Sequence, residues 1–398
     1  MSDTFRPGAA KALFLSTTAF AVSFAVWGLI AALAPTFTQL YNLSATQKSV
    51  MIAVPVLLGS IGRIFAGMLA DKFGGRKVMS ALLVFSAVPA IAIGFSTSFN
   101  QLVIFGLFLG IAGTTFPVGV GFTSRWFAQE KQGTALGVYG MGNIGQSIAV
   151  FFAPVLALAI GDWRTVFFIF AAVTLIWGVV FYLLAANDTT TARPRSLSEM
   201  LQPLRTSKTA WILSLFYFLT FGGFVALALY MPTFLREIFN LTPTDAGART
   251  AGFVVLATLM RPVGGILADR IGGAKVLVVV FIAIAVLSLL LSLTTIALFT
   301  IGALGCAAAL GLGNGAVFKL VPQYFPKETG TVTGLVGAFG GLGGFFPPLE
   351  LGLVKDWTGS YTIGFVLLSL FALGCLAVDY FFFIRTASEP RVAQPESA

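Results

Sequence analysis

The sequence predicts an all-α integral membrane protein with twelve transmembrane helices, arranged as two pseudo-symmetric six-helix bundles. Three observations predict this fold class: an apolar composition, twelve apolar stretches of spanning length, and an internal repeat. Of the 398 residues, 57% are hydrophobic and 10% are charged, whereas soluble domains carry about 25% charged residues. The composition therefore excludes a soluble enzyme and a nucleic-acid-binding protein, although the net charge is +9.

Twelve apolar stretches are long enough to cross a bilayer, which takes roughly 20 helical residues. The longest polar segment, 187–209, separates an N-terminal bundle (1–186) from a C-terminal bundle (210–398), and its centre is expected to form a short helix on the inner surface. The predicted spans are 11–34, 49–70, 78–96, 102–124, 133–160, 165–186, 210–235, 249–268, 276–294, 298–321, 329–354 and 361–385.

Basic residues are distributed unevenly over the predicted loops. With the amino terminus inside, the inner loops and tails hold roughly three times as many Lys and Arg residues as the outer loops. Both termini are therefore predicted to be cytoplasmic, in the cytoplasmic (inner) membrane. The polar start MSDTFRPGAAK lacks the pattern of a cleaved signal peptide, so the first apolar stretch is expected to be retained.

An internal repeat relates the two halves. GRIFAGMLADKFGGRKV, which begins at Gly62, aligns without gaps with MRPVGGILADRIGGAKV, which begins at Met260. The same spacing aligns RWFAQE, which begins at Arg125, with QYFPKE, which begins at Gln323. Matched charges in both halves argue against chance similarity. The chain is therefore interpreted as a duplicated six-helix unit, in which a substrate site is expected near the midplane between the halves.

The loops GMLADKFGGRK and GILADRIGGAK resemble the repeated signature of the major facilitator superfamily. Each contains glycines that allow a tight turn and an aspartate that can pair with a nearby basic residue. Arg125, at the inner end of the fourth helix, is the expected partner of Asp71. The matching position in the second half is Gln323, so an ion pair of Asp269 is expected to be weaker or absent. The alternative explanation is ordinary positive charge in cytoplasmic loops.

Arg63 and Arg261 lie inside apolar stretches, about 12 Å from the cytoplasmic helix ends at 1.5 Å per residue. A central arginine costs at least about 2.5–3.5 kcal/mol on insertion scales, so it should face a cavity or a partner. The acids within predicted spans, Glu350 and Asp379, are poorly placed to neutralise both arginines. The missing negative charge is then most simply a substrate, and a planar guanidinium suits a planar oxyanion. The alternative is that both arginines are structural and bond backbone carbonyls.

Two glycine runs, GTALGVYGMGNIGQS (133–147) and GTVTGLVGAFGGLGGFFPP (330–348), lie on the fifth and eleventh predicted helices. Glycine allows helix backbones to approach closely in a membrane, and it also lets a very small ligand reach backbone groups. Gly140 and Gly337 occupy equivalent positions, and Asn143 adds a neutral amide donor. Packing alone is an alternative for the glycines, but together with the arginines they favour the lining of a site.

On these residues the chain resembles the nitrate/nitrite porter family of the major facilitator superfamily over essentially its full length. The resemblance implies that Arg63 and Arg261 clamp the substrate and that Asn143 closes the first nitrate signature. It also implies that Tyr217 and Phe221 lie near the substrate and that Phe116 stacks on the planar anion. The expected function is secondary active transport of nitrate, and also of nitrite, by alternating access. Uptake of nitrate by nitrate/nitrite exchange and uptake by proton symport both remain open.

The expected gating residues are Asp71, Arg125, Asp269 and Lys319. Lys319 either extends to the inner surface or lines the inner exit, where it would attract anions. Two other functions remain open: transport of a different small or organic anion, and sensing of an anion without transport.

No enzymatic chemistry, metal or cofactor is expected, because the chain has no histidine and no phosphate-loop or nucleophile motif. Cys306 and Cys375 are expected to be separate buried thiols. The expected partners are nitrate, nitrite and membrane lipid, without nucleic acid, and the protein is expected to be a monomer.

Overall fold

The computed structural model describes residues 7–43, 45–186, 197–358 and 360–385, and its regular elements in these ranges are all helical. Eleven helices in the described part are long and apolar enough to cross a membrane. A further helix of 30 residues, Thr329–Thr358, occupies the position of the eleventh predicted span. The prediction of an all-helical membrane protein is thus confirmed.

The first six long helices, α1 to α6, precede the polar segment. A short helix, Ala34–Tyr41, follows α1 at its C-terminal end. The helices are α1 (Ala9–Ala32), α2 (Ala45–Phe73), α3 (Gly75–Gly94), α4 (Phe99–Leu109, Gly110–Thr114 and Thr115–Ser124), α5 (Gln132–Gly140, Met141–Asn143 and Ile144–Ile160) and α6 (Trp163–Leu184).

Six further long helices follow the polar segment. They are α7 (Lys208–Tyr217, Phe218–Gly222 and Gly223–Phe239), α8 (Pro243–Ile271), α9 (Gly273–Leu290), α10 (Ile296–Tyr324), α11 (Thr329–Thr358) and α12 (Thr362–Asp379 and Tyr380–Ile384).

The predicted short helix in the polar segment is present at Leu197–Thr206. It is held to α7 by the Trp211 indole, whose Nε1 donates a hydrogen bond to the Leu204 carbonyl at 3.0 Å. Residues 187–196 of the predicted linker lie outside the described residues, as do both chain ends at 1–6 and 386–398.

The turns of the two repeated loops are each a single glycine. Gly74 joins α2 to α3 with φ 88°, and Gly272 joins α8 to α9 with φ 93°. Residues with a side chain rarely adopt this left-handed region, so glycine permits two long helices to meet without a longer loop. The tight turn that the sequence predicted is therefore found in both halves.

Asp162 is the N-cap of α6. Its carboxylate accepts hydrogen bonds from the backbone N–H groups of Arg164 and Thr165 at 3.1 and 3.2 Å. The Thr165 hydroxyl donates a third bond at 2.8 Å. These bonds, that of the hydroxyl first, lower the pKa of the Asp162 carboxyl, because they stabilise its charged form.

Two helix pairs, α2 with α11 and α5 with α8, join the halves through glycine contacts. A methyl group on Gly67 would overlap the Gly330 carbonyl, and one on Gly265 would overlap the Gly133 carbonyl. The contact thus occurs twice, once between α2 of the first half and α11 of the second, and once between α8 of the second half and α5 of the first. Close backbone approach of this kind is what small residues allow in membrane helices.

Three helices that carry candidate site residues, and that the sequence predicted as continuous, contain local changes of winding, as does the end of α12 at Tyr380–Ile384. The segments Gly110–Thr114 and Met141–Asn143 are 3-10 helical, and Phe218–Gly222 is π-helical. These changes alter which side chains share a helix face, and π-segments often mark functional sites. They occur at or next to Phe116, Asn143 and Phe221.

Candidate functional site

Arg63 of α2 is buried between the two halves, with 2% of its surface exposed. Its Nε donates a hydrogen bond to the Gly113 carbonyl in α4 at 3.1 Å. Its Nη1 donates to the Gly337 carbonyl in α11 at 2.6 Å. The guanidinium is therefore fixed by one bond within its own half and one across to the other.

Arg261 of α8 is arranged in a related way, with 4% of its surface exposed. Its Nη1 donates to the Gly140 carbonyl in α5 at 2.8 Å, and its Nη2 lies 3.5 Å from the Tyr217 hydroxyl. Each arginine therefore bonds the equivalent glycine of the opposite half. Carbonyl bonds are what a purely structural role of the arginines predicts. Among the described residues, however, the bonds engage only two of the three nitrogens in each guanidinium.

The Phe221 ring lies beside both guanidinium groups. The Cζ atoms of Arg63 and Arg261 are 5.7 and 5.5 Å from its centroid. Arg63 also lies 5.8 Å from the centroid of Phe116. Aromatic rings attract cations at this distance, so the two aromatic side chains help to hold positive charge in a buried place. Among the described residues, neither arginine forms an ion pair with a carboxylate.

Tyr217 completes a set of nearly parallel rings. Its ring stacks on Phe221 with centroids 5.0 Å apart and an interplanar angle of 9°. It is parallel to Phe116 within 2°, at 6.3 Å. The structure thus brings Arg63, Arg261, Tyr217, Phe116 and Phe221 together, and their role in binding stays a prediction. Parallel aromatic faces suit a flat ligand.

Asn143 lies in the 3-10 segment of α5, three residues after Gly140. Its side chain is buried, and its Oδ1 has no hydrogen-bond partner among the residues that the structure describes. A buried amide normally has partners. Its position supports a role for this amide beside Arg261.

Sequence reasoning missed three aromatic residues of this cluster. Phe318 of α10 packs edge-on against Phe116 and Tyr217, at 4.8 and 4.6 Å. Phe20 and Tyr139 also lie beside Phe116, with ring centroids at 5.3 and 5.9 Å. With 40 phenylalanines in the chain, composition could not single out Phe20 or Phe318. Tyr139 carried a usable signal, because it directly precedes Gly140 in the first glycine run.

Asp71 fastens the C-terminal end of α2 to the start of α11. Its carboxylate accepts hydrogen bonds from the backbone N–H groups of Gly330 and Thr331 at 3.2 and 2.7 Å, and from the Thr331 hydroxyl at 2.9 Å. Arg125 forms the predicted ion pair with it at 3.1 Å. A carboxylate at a helix N-terminus is stabilised by the free N–H groups and the helix dipole.

Asp269 makes the corresponding connection from α8 to α5. It accepts from the backbone N–H groups of Gly133 and Thr134 at 2.9 and 2.6 Å and from the Thr134 hydroxyl at 2.7 Å. The expectation of a weak or missing ion pair is wrong. Lys319 lies 2.9 Å from Asp269, because it reaches the carboxylate from the helical turn before Gln323.

Lys319 does not extend to a surface of the molecule in this structure. Its side chain is buried against Asp269 and donates to the Gln129 carbonyl, and its expected place at the exit stays a prediction. A buried ammonium group needs such partners. The threonines of both connections were also missed, although the dipeptide Gly-Thr that begins each glycine run was a signal for them.

The acids of the predicted spans do not join this cluster in the part that the structure describes. The side chain of Glu350 lies outside the described residues. Asp379 is buried in α12, and neither of its carboxylate oxygens has a hydrogen-bond partner among the described residues. The described residues also contain no group of three potential metal ligands. Cys306 and Cys375 are separate, buried and free, as expected.

Comparison with known proteins assigns the chain to a family. Residues 15–348 match the sequence model of the Major Facilitator Superfamily, and residues 213–398 match it a second time. The nitrite extrusion protein of Bacillus subtilis (strain 168) is 41% identical over 362 residues, which are 91% of each chain. The probable nitrate/nitrite antiporter NarK1 of Thermus thermophilus is 34% identical over 399 residues, 92% of this chain and 90% of that protein.

A solved structure shows the same fold at low sequence identity. The human organic anion transporter MFSD10 superposes with a TM-score of 0.81 over 94% of this chain and 100% of that chain, at 15% identity. At this identity the likeness concerns the fold alone. The sequence match and the relatives together show that the chain belongs to the nitrate/nitrite porter family of the Major Facilitator Superfamily.

Proposed function

We propose that this protein carries nitrate, and also nitrite, across the cytoplasmic membrane by alternating access to one site between Arg63 and Arg261. The observation that carries the proposal is the convergence of two buried arginines from opposite halves on the Phe221 ring. In the described residues they have no carboxylate partner. Two desolvated cations so placed favour an anionic ligand. The names of the relatives point to the same anions.

The proposed site uses both charge and shape. Each guanidinium keeps N–H donors beyond those bonded to carbonyls, and its planar geometry matches two oxygens of a planar anion. Phe116 and Phe221 supply flat apolar faces, and the Tyr217 hydroxyl and the Asn143 amide supply neutral donors. Gly140 and Gly337 keep space open beside the arginines, which favours an anion of few atoms.

The gate of this proposal lies on the cytoplasmic side. Asp71 and Asp269 each tie one half to the first turn of a helix in the other half, and Arg125 and Lys319 neutralise them. Opening toward the cytoplasm then requires both connections to break as the bundle 1–186 rocks against the bundle 210–398. The linker 187–209 joins the bundles, and both termini are placed in the cytoplasm.

Electrostatics favours exchange over net uptake. Without an anion, two guanidinium groups against one ring repel each other, so the unloaded carrier should change sides slowly. Nitrate/nitrite exchange keeps the site occupied in both directions. Proton symport remains the alternative mechanism of nitrate uptake. The proposal assigns no enzymatic reaction and treats the protein as a monomer in lipid.

Purified protein in liposomes tests the transport function. Nitrate uptake should be fast when the liposomes contain nitrite and slow when they contain no anion that the carrier accepts. A pH gradient alone should not replace internal nitrite. Equal uptake with and without internal nitrite, together with stimulation by an inward proton gradient, would establish symport instead. Failure to move either anion under any of these conditions would reject the proposed substrates.

Conservative substitutions test the site itself. Arg63→Lys and Arg261→Lys keep the positive charge but remove the planar fork, so each should lose most nitrate transport. Loss of one charge-assisted hydrogen bond corresponds to roughly a ten- to hundredfold weaker affinity. Arg205→Lys, in the short helix between the bundles, is a matched control that should transport normally. Near-native uptake by a well-expressed Arg63→Lys or Arg261→Lys variant would show that the site lies elsewhere.

A further inference from the structure

Asn314 of α10 is a buried polar residue that none of the contacts described above explains. Its surface is 3% exposed, and its Oδ1 has no hydrogen-bond partner among the residues that the structure describes. Buried side-chain amides are nearly always bonded, so an exception needs a physical reason. A ligand that binds beside the amide would provide one.

Two neighbours in the sequence place Asn314 at the anion site. Residues four apart share one face of a helix, so Asn314 lies on the face of Phe318, whose ring packs against Phe116 and Tyr217. The next residue, Gly315, is packed against the backbone carbonyl of Arg261. Asn314 is thus at the depth of Arg261 and on the helix face that meets the aromatic cluster.

The internal repeat gives an independent argument. The spacing that pairs Arg63 with Arg261 also pairs Phe116 with Asn314. Phe116 lies against the Arg63 guanidinium at 5.8 Å. By the same symmetry, the repeat predicts that Asn314 occupies the corresponding place on the Arg261 side. Phe221 lies beside both arginines, but the repeat-related pair would then be unequal, with the Phe116 ring beside Arg63 and the Asn314 amide beside Arg261.

We propose that Asn314 determines the preference between nitrate and nitrite by donating a hydrogen bond to the third oxygen of nitrate. This inference rests on the proposed function. A guanidinium fork satisfies two oxygens of a planar anion, which is all that nitrite has. The further oxygen of nitrate can accept additional hydrogen bonds, and the Asn314 amide supplies a donor from α10, in addition to Tyr217 and Asn143, without adding charge. Rotation of the amide can present its NH₂ group instead of its oxygen.

The test measures the KM for nitrate and for nitrite separately, in liposomes that contain wild-type protein, Asn314→Leu or Asn314→Ala. Leucine approximates the shape of asparagine without hydrogen-bonding groups, and alanine avoids any steric conflict. Both variants should raise the KM for nitrate roughly ten- to hundredfold and change that for nitrite by less than about threefold. The control is Ser80→Ala in α3, which removes another buried and unpartnered oxygen and should change neither KM.

The ratio of the two KM values separates specificity from a structural role. An unchanged nitrate KM in the variants would overturn the inference, and so would an equal loss for both anions. Should Asn314→Leu fail to reach the membrane, the alanine variant decides. A wild-type protein that moves neither anion would instead refute the proposed function, whereas wild-type transport with an unchanged ratio in the variants refutes only the role of Asn314.

Discussion

At the scale of single residues, the Asp71 and Asp269 connections show how the halves diverged while each aspartate kept a basic partner. The repeat pairs Arg125 with Gln323 and Lys319 with Gly121. Gly121 faces Asp71, since a Cβ atom on it would lie 3.9 Å from the carboxylate. Each half therefore supplies one cation to its aspartate, but from different turns of equivalent helices. A comparison of equivalent positions alone could not find this pair.

Removal of Lys319 should destabilise the protein more than removal of Arg125. The Lys319–Asp269 pair is almost fully buried, whereas the Arg125 side chain is 29% exposed. Breaking a buried ion pair leaves an uncompensated charge and costs about 3–5 kcal/mol, whereas partly exposed pairs contribute about 1 kcal/mol or less. Lys319→Gln should therefore lower the melting temperature in detergent more than Arg125→Gln does.

A double-mutant cycle gives the control for this comparison. Asp269→Asn combined with Lys319→Gln removes the buried charge that the single substitution leaves behind, so the double variant should regain stability over Lys319→Gln. The stability losses of the two single variants, added together, predict the stability of a double variant without coupling. If the double variant is no more stable than that, the result would contradict an ion pair between these two side chains.

At the scale of helices, the glycines of α5 and α11 have two separate functions. At Gly137 and Gly334 an added Cβ atom would lie 2.7 Å from the Pro262 Cα and 2.8 Å from the Ile64 Cα, so these glycines allow backbones to touch. At Gly140 and Gly337 the nearest atoms belong instead to arginine side chains, at 3.3 Å from the Arg261 Cδ and 3.1 Å from the Arg63 Cδ. The second pair therefore affects the site more than the packing.

Alanine at these positions should separate stability from transport. Gly140→Ala and Gly337→Ala should insert normally and keep their melting temperature, because an arginine side chain can move by a few tenths of an ångström and alanine favours the helix by roughly 0.8–1 kcal/mol. Both should transport nitrate poorly, because the guanidinium is displaced. Gly137→Ala and Gly334→Ala should instead be unstable, because backbone cannot yield in this way.

Gly374 on α12 provides the matched control, since nothing lies within 4 Å of a Cβ atom added there. Gly374→Ala should be normal in both stability and transport. Wild-type transport by both Gly140→Ala and Gly337→Ala would mean that these glycines serve packing only.

The helices that form the site were also where sequence reasoning was least complete. Apolar length located the helices well, because the bilayer imposes that length on every span. It could not reveal the changed winding at Gly110–Thr114 or Phe218–Gly222, since apolar content is the same in either winding. Those segments change the direction in which the Phe116 and Phe221 side chains point, compared with a regular helix. That direction depends on tertiary packing.

At the scale of the whole molecule, the twofold repeat explains what the sequence could predict about the site. Arg63 with Gly337 and Arg261 with Gly140 form one contact made twice, once from each half. Matched charges at one spacing identify such pairs directly. Features that break the symmetry, such as Lys319 beside Asp269, needed the structure, because nothing in the other half marks them. The roles of the site residues in binding remain predictions.

The orientation of the whole molecule is the last prediction, and it rests on the distribution of charge rather than on packing. Two exposed residues lie at opposite ends of α3 and α9, two helices that the repeat makes equivalent: Lys77, in the first turn of α3, and Thr294, between α9 and α10. If cytoplasmic loops attract the basic residues, Lys77→Cys should react with a membrane-impermeant maleimide only in inverted vesicles. Thr294→Cys should react in intact cells.

The native Cys306 and Cys375 are fully buried, so the unmodified chain should give little background. Labelling of Lys77→Cys in intact cells, with Thr294→Cys protected, would invert the topology and place the Asp71 and Asp269 connections on the outer face, so that the gate proposed for the cytoplasmic side would control entry from outside.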